Sequence, residues 1–322
     1  MSILVLLVLA VVPGVLLLLF FYLKDTYQRE PWLIVAGSFL LGAIITIPIA
    51  FLEMALLSDT HQKSWPVLAM ETFLIIALLE ELGKYLVLRF YAARKPEFNE
   101  IFDGLVYGAA AASGFATFEN LFYVLGEENG LYVGLLRAVL TIPMHIFTGA
   151  LIGYWLARGL AGQAPVLLRL GGGLVTAIAT HGLFDFVLFL DGPGTEYASV
   201  IAVPVVLYLL LLMILAVRYS RRHPEIWPLQ TEPLAVSLRT APASGGPGSV
   251  VPRLRWLFLA ITWTFLGTSI LFMGRMVYVI AFESVTMIRL LAPGVVAATG
   301  ALLGLVFYLL ARRSSRQLPV AN

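Results

Sequence analysis

The sequence predicts an all-α fold, a polytopic transmembrane helix bundle of about nine spans. Hydrophobic residues make up 60% of the 322 residues and charged residues only 12%. Apolar runs also recur at the length that crosses the roughly 30 Å hydrocarbon core of a bilayer. Only helices and closed barrels satisfy their backbone in lipid, so these runs are predicted to be helical. The spans are predicted, within ~2–4 residues, at roughly 2–23, 33–57, 66–92, 104–125, 133–157, 166–190, 197–218, 254–274 and 291–311.

The first apolar run has no basic region before it and no small-residue cleavage site after it, so it is expected to stay as a membrane helix. Lysine and arginine are concentrated in the segments that follow predicted spans 1, 3, 5, 7 and 9. By the positive-inside rule these segments are cytoplasmic. The sequence therefore predicts an external N-terminus and a cytoplasmic C-terminus, in a multi-pass protein of the bacterial cell membrane.

Residues 221–252 interrupt the hydrophobic pattern with interleaved proline and glycine, which is typical of a linker without a core. This cytoplasmic linker separates a predicted seven-helix core (1–220) from a predicted two-helix membrane extension (253–322). No convincing internal repeat is present, which disfavours transporter folds built from inverted repeats.

Several classes of protein are excluded by composition. The chain contains no cysteine, which excludes disulfides, thiolate metal ligands and a cysteine nucleophile. The net charge of +2 and the lack of a basic patch with interleaved aromatics argue against a nucleic-acid partner. The lipid bilayer is thus the expected environment of the protein.

Five ionisable residues fall inside four successive predicted spans: Glu80, Glu81, Glu119, His145 and His181. A charge within the bilayer is costly, and such residues usually face a bundle interior or a water-filled cavity. Converted to depth at 1.5 Å per residue, their positions allow them to converge in the middle to outer membrane, with Glu119 outermost. The sequence therefore predicts one polar site inside the membrane.

Span 3 contains two adjacent carboxylates and a lysine. Lys84 is four residues after Glu80 and three after Glu81, so it can reach either of them from one helical face. Adjacent residues point about 100° apart, so the two glutamates are expected to differ in role: one faces the cavity and the other holds a neighbouring helix. The first is a candidate general base for water. The alternative is a neutralised triad that only pins helices together.

Span 4 begins with small residues, among which Gly104 and Gly108 match a close helix-packing pattern. Asp103 is expected to cap this helix. Glu119 and Asn120 follow in its outer half. In this half of the span the polar pair could contribute to the site directly or support it.

Spans 5 and 6 each contain a histidine near the middle. Pro143 is expected to bend span 5 close to His145. In span 6, Asp185 can accept a hydrogen bond from one ring nitrogen of His181, which is expected to leave the other nitrogen for a metal or substrate.

Together these residues resemble the PrsW family of bacterial intramembrane proteases, within the wider group that contains the CAAX prenyl endopeptidases. The resemblance covers about residues 15–190 and leaves out 221–322. It rests on Glu80-Glu81-x-x-Lys84, Phe115-x-x-x-Glu119-Asn120, His145 and His181-x-x-x-Asp185. Glu119 and Asp185 depart from the CAAX relatives, which have histidine and commonly asparagine there, and this argues against a prenylated substrate.

The resemblance implies hydrolysis of a peptide bond in or near the membrane segment of a single-pass membrane protein, such as a membrane-bound anti-sigma factor. It implies Glu80, Glu81, His145 and His181 as catalytic residues, supported by Lys84, Glu119, Asn120 and Asp185. Two chemistries stay open. Glu119, His145 and His181 could hold Zn²⁺ with an open water position, or Glu80 could activate water without metal while the histidines stabilise the oxyanion.

Two other functions remain possible from the residues alone. Buried Glu, Lys and His are also common in ion-coupled transporters. A non-enzymatic membrane scaffold or immunity-type protein could use the same polar cluster only to lock its fold. The intramembrane protease is the favoured prediction.

Overall fold

A computed structural model describes residues 2–25, 27–57, 63–163, 166–190 and 198–224, and the described residues are helical with short connections. The helices are α1 (Ile3–Lys24), α2 (Trp32–Leu56), α3 (Trp65–Met70), α4 (Ala77–Phe90), α5 (Ile101–Gly126), α6 (Gly130–Val139), α7 (Thr141–Leu160), α8 (Val166–Leu188) and α9 (Ala198–Arg222). A π-helical segment, Glu71–Ile76, joins α3 to α4, and a 3₁₀ turn, Ala92–Arg94, follows α4. The all-α prediction is confirmed.

Six helical segments of the described residues are long and apolar enough to cross a membrane: α1, α2, α5, α6 with α7, and parts of α8 and α9. The third predicted span, 66–92, is not among these six; the chain there is helical without a gap from Trp65 to Phe90, through α3, the π-helical segment and α4. The two spans predicted at 254–274 and 291–311, and the linker 221–252 beyond residue 224, lie outside the described residues. The total of about nine spans and the orientation of the termini stay predictions.

Helix α5 is the centre of the bundle and packs against α7, α2 and α1. Of the most apolar stretch of α5, 94% is buried, against 11% for α1. The first helix therefore presents most of its apolar surface outward, as expected for a helix that faces lipid. Asp103 helps to cap α5, although the N-cap residue is Glu100 and not Asp103: Asp103 lies three residues later in a capping box, and its Oδ2 atom accepts the backbone N–H of Glu100 at 2.6 Å.

The close approach of α5 and α7 depends on two pairs of glycines. A Cβ atom built on Gly104 would lie 2.2 Å from the carbonyl oxygen of Gly153, and one built on Gly108 would lie 2.3 Å from that of Gly149. Small residues at these positions let the two backbones touch, as the sequence pattern of span 4 predicts. This contact fixes α7, which contains His145, against the central helix.

Two interruptions shape the helices beside the polar residues. The predicted single span at 133–157 is divided at Leu140 into α6 and α7, and Pro143 lies in the first turn of α7. Proline has no N–H to donate to the carbonyl four residues earlier, so the interruption at Leu140 lies where Pro143 removes a backbone hydrogen bond. The π-helical segment Glu71–Ile76 lies immediately before α4 and packs Phe73 onto Gly182 of α8.

Candidate active site

The polar residues of four predicted spans meet in one buried cluster. Its members come from α4 (Glu80, Glu81, Lys84), α5 (Glu119), α7 (His145) and α8 (His181, Asp185). Most of these residues are buried in the bundle interior, with Glu119 the most exposed at 17% of its side chain. The fold thus joins the positions that the sequence placed at different depths.

Glu81 connects three helices. Its Oε1 atom accepts from Lys84 Nζ at 2.7 Å, lies 2.7 Å from His181 Nδ1 and accepts from Thr148 Oγ1 at 3.2 Å. A buried carboxylate needs such partners, because an ionised group without them is very costly in an apolar interior. Glu81 therefore holds α4, α7 and α8 together.

Glu80 is arranged differently. Its Oε2 atom lies 3.7 Å from His145 Nδ1, 3.8 Å from His181 Nε2 and 3.8 Å from Lys84 Nζ. These distances exceed those of direct hydrogen bonds. Oε2 is buried and has no hydrogen-bond partner among the described residues. Glu80 thus points a carboxylate oxygen at three nitrogens without being bonded to any of them.

His145 is held at both ring nitrogens. Nδ1 lies 2.9 Å from Lys84 Nζ, and Nε2 lies 3.0 Å from Glu119 Oε2. An ammonium group can only donate, so Nδ1 accepts from Lys84 and the ring proton lies on Nε2, at ion-pair distance from Glu119. The contacts therefore select one tautomer of His145.

His181 also uses both ring nitrogens. Nε2 lies 3.1 Å from Asp185 Oδ2, as the i,i+4 spacing predicts. Nδ1 faces Glu81 at 2.7 Å, so the expectation that this nitrogen is free for a metal or substrate was wrong. The two ring nitrogens of His181 therefore face two carboxylates, Glu81 and Asp185.

Two polar residues that the sequence reading did not select complete the cluster. Arg137 of α6 lies 2.8 Å from Glu119 (Nη2 to Oε2), and Thr148 of α7 donates to Glu81. An arginine inside a predicted span was a signal for the first. Asn120 was predicted to support the site, and it contacts Arg137 and the Ala10 carbonyl rather than either histidine.

The donor types in the cluster are those of catalytic zinc sites. The residues whose ligand atoms lie within 4.8 Å of one another are Glu80, His145 and His181, whereas Glu119 was the carboxylate in the predicted zinc ligand set. In this arrangement both nitrogens of His181 face carboxylates, and Nδ1 of His145 lies 2.9 Å from Lys84 Nζ. A metal needs unprotonated nitrogens, so a divalent cation would have to displace these contacts and their protons. The contacts of the two histidines thus compete with a bound cation.

Comparisons with known proteins agree with the sequence motifs. The model of a family described as PrsW family intramembrane metalloprotease matches residues 30–214. Protease PrsW of Oceanobacillus iheyensis is 32% identical over 215 residues, which cover 67% of this chain and 94% of that protein. Protease PrsW of Bacillus subtilis is 37% identical over 182 residues, 55% of this chain and 80% of that protein.

Protease PrsW of Geobacillus kaustophilus is 36% identical over 178 residues, which cover 55% of this chain and 77% of that protein. No solved structure matches significantly. The cluster lies entirely within the residues that the family model matches. The chain therefore belongs to the PrsW family of intramembrane proteases, multi-pass peptide hydrolases of the cell membrane.

Proposed function

We propose that the protein hydrolyses a peptide bond in or near the membrane segment of single-pass membrane proteins, with a water molecule activated by Glu80. The observation that carries the proposal is the buried Oε2 atom of Glu80, which has no hydrogen-bond partner and faces Lys84, His145 and His181 at 3.7–3.8 Å. A general base must reach the proton it takes directly or through one water. Oε2 of Glu81 and Oε2 of Glu119 also have no hydrogen-bond partner among the described residues, but Glu81 is bonded through Oε1 and Glu119 Oε2 lies 2.8 Å from Arg137 and 3.0 Å from His145. Among the three carboxylates, Glu80 is the one whose ion-pair distances are all 3.7–3.8 Å, which leaves room for a water.

The proposed reaction adds one water across the peptide bond. The Glu80 carboxylate takes a proton from water, and the oxygen of that water attacks the carbonyl carbon of the substrate. The C–N bond of the resulting tetrahedral intermediate then breaks. Glu80 returns its proton to the departing nitrogen, which leaves a new carboxyl end, a new amine end and an unchanged enzyme.

The charge that develops on the carbonyl oxygen needs donors. Lys84 lies beside Glu80, and of its three N–H groups one is directed at Glu81 Oε1 at 2.7 Å and one at His145 Nδ1 at 2.9 Å, which leaves one for the substrate. Donors held in place before the reaction stabilise an oxyanion without reorganisation, and in a water-poor site they are worth more than in bulk water. Glu81 thus supports the reaction by holding Lys84 in place, whereas Glu80 acts as the base.

The substrate class is proposed from two considerations. A cluster inside a bundle of membrane-spanning helices is reached most directly by a peptide segment that also lies in or beside the membrane. The resemblance of the motifs to the PrsW family favours a single-pass protein, such as a membrane-bound anti-sigma factor, cut in a first step of regulated proteolysis.

The experiment compares protein N-termini in membranes of the native host. The host carries the wild-type protein, Glu80→Gln, or the control Glu128→Gln, which changes an exposed glutamate between α5 and α6. We expect new N-termini near the ends of single-pass helices with the wild type and the control, and none with Glu80→Gln. Identical N-termini in all three, with equal amounts of folded protein, would contradict the proposal.

A further inference from the structure

Arg137 is a buried cation that has no place among the motifs of the sequence. It lies in the last turn of α6, three residues before the break at Leu140, and its side chain is 11% exposed. A cation in the interior of a membrane bundle is costly unless it is paired. Its partners therefore indicate its purpose.

The guanidinium of Arg137 binds one turn of α5 through three contacts. Nη2 lies 2.8 Å from Glu119 Oε2, Nε donates to Asn120 Oδ1, and the group lies 4.1 Å from the ring centroid of Tyr123. The planar fork of arginine can hold several acceptors in a fixed arrangement, which a lysine cannot reproduce. Arg137 thus fixes the position of the Glu119 carboxylate.

The same carboxylate oxygen holds His145. Glu119 Oε2 lies 2.8 Å from Arg137 and 3.0 Å from His145 Nε2. Arg137 and His145 are eight residues apart, about 12 Å along a straight helix. Their side chains nevertheless meet at one oxygen, and the regular helix is interrupted between them at Leu140.

Asn120 connects Arg137 to a third helix. Its Nδ2 atom donates to the carbonyl oxygen of Ala10 in α1 at 3.3 Å, while its Oδ1 atom accepts from Arg137. Three helices, α1, α5 and α6, are thereby joined behind Glu119. None of these contacts involves Glu80 or Glu81.

We propose that Arg137 is a positioning residue of the protease site, which acts through Glu119 on the orientation and tautomer of His145. This inference rests on the proposed hydrolysis. With Arg137 in place, Nε2 of His145 faces Glu119 at 3.0 Å and its Nδ1 edge faces Glu80 and Lys84. Without it, Glu119 loses its cationic partner and His145 loses its fixed acceptor.

The test is a double-mutant cycle of Arg137→Gln and Glu119→Gln on the purified protein in vesicles, with a substrate found by the N-terminal comparison. Arg137→Gln is expected to lower kcat by about 10- to 100-fold, the usual effect of losing a partner that orients a site ligand. KM should change by less than about twofold, because the arginine does not touch the substrate. The double variant should be no worse than Glu119→Gln alone, since residues that act in one chain are not additive.

Two further variants separate positioning from general stability. Arg137→Lys keeps a cation beside Glu119 and should give a kcat between those of the wild type and Arg137→Gln. Arg158→Gln is the control, because Arg158 contacts Tyr154 and Tyr219 near the end of α7 and no member of the site. It should keep the wild-type kcat. If Arg137→Gln does not fold, Arg137→Lys takes its place in the cycle.

Two results would overturn the positioning role while leaving the proposed hydrolysis intact. One is a double variant whose kcat is lowered by the product of the two single losses, and the other is a wild-type kcat in Arg137→Gln. In the lysine cycle, a full kcat for Arg137→Lys would overturn the positioning role in the same way. Absence of any Glu80-dependent cleavage by the wild type would instead contradict the hydrolysis itself, and the positioning role with it.

Discussion

Lys84 and Glu81 form a fully buried ion pair, with 2.7 Å between Nζ and Oε1. The same ammonium lies 3.8 Å from the neighbouring carboxylate of Glu80. Sequence spacing allowed the lysine to pair with either glutamate, and the fold selects the second. This choice separates the two carboxylates, because Glu81 becomes part of the framework and Glu80 stays available for chemistry.

The two glutamates should therefore respond differently to the same isosteric change. Glu81→Gln leaves the buried Lys84 without its anionic partner, which is expected to cost about 3–5 kcal/mol of unfolding free energy. Glu80→Gln removes no hydrogen bond of the Oε2 atom and should leave stability almost unchanged. Thermal unfolding of both variants in detergent measures the difference. Equal losses of stability would mean that the cluster only locks the fold.

Substitution of Gly108 tests the contact between α5 and α7. A Cβ atom there would lie 2.3 Å from the Gly149 carbonyl oxygen, so Gly108→Ala must push the helices apart. We expect a loss of about 1–3 kcal/mol in stability, as for other overpacked interiors. Cleavage should fall too, because α7 contains His145. Gly126→Ala is the matched control, since nothing lies within 4 Å of a Cβ built there. A loss as large in the control would argue against this packing.

Three carboxyl groups outside the membrane-spanning segments predict a pH dependence of stability. Burial raises the pKa of Asp25 to about 6 and those of Glu30 and Glu100 to about 7. A raised carboxyl pKa stabilises the folded chain fully below the unfolded value, near 4, and this contribution is lost as the pH rises through the folded value. Unfolding in detergent should therefore need a higher temperature at pH 5 than at pH 8.

Glu30→Gln isolates one of these groups. The amide does not ionise, and its carbonyl can still accept from the Tyr107 hydroxyl, which bonds Glu30 in the wild type. We expect a shallower fall in Tm between pH 5 and 8, with a difference from the wild type of about 2–4 °C for each kcal/mol removed. Glu128→Gln, at an exposed position, should follow the wild type. An unchanged slope in Glu30→Gln would contradict the assignment.

The contacts of the two histidines predict that cleavage does not depend on a divalent metal. Lys84 occupies Nδ1 of His145, and two carboxylates occupy His181. Treatment of the purified protein with a chelator should leave its cleavage rate within about twofold, and elemental analysis should find well below one zinc per chain. Loss of cleavage on chelation, restored by zinc, would contradict this prediction.

Much of the site was predictable because its charged and polar side chains cost free energy when they lie inside a membrane. A carboxylate or histidine inside a membrane span needs partners, so Glu80, Glu81, Glu119, His145 and His181 could be grouped from their positions alone. An irregularity of the helix near Pro143 and a capping role for Asp103 were predictable for a similar reason, since both follow from the backbone chemistry of single residues. The N-cap itself is Glu100, three residues before the predicted position.

The partner choices were not predictable from spacing. Whether Lys84 pairs with Glu80 or Glu81, and whether the second nitrogen of His181 is free, depends on rotamers and on how closely α4, α7 and α8 approach. Arg137 was missed because its partner Glu119 lies on a different helix, and the residue spacing within one helix does not predict a contact with another. The π-helical geometry of Glu71–Ile76, where Phe73 packs against Gly182, likewise has no signal in the sequence.

The most direct test of the central claim is cleavage by the purified protein in vesicles that contain one substrate from the host comparison. Wild-type protein and Glu128→Gln should release a fragment with the same new N-terminus as in the host. Glu80→Gln, folded to the same extent, should be slower by about 10²–10⁴-fold, as expected for loss of a general base. Cleavage by Glu80→Gln at the wild-type rate would contradict the assignment of Glu80 as the base.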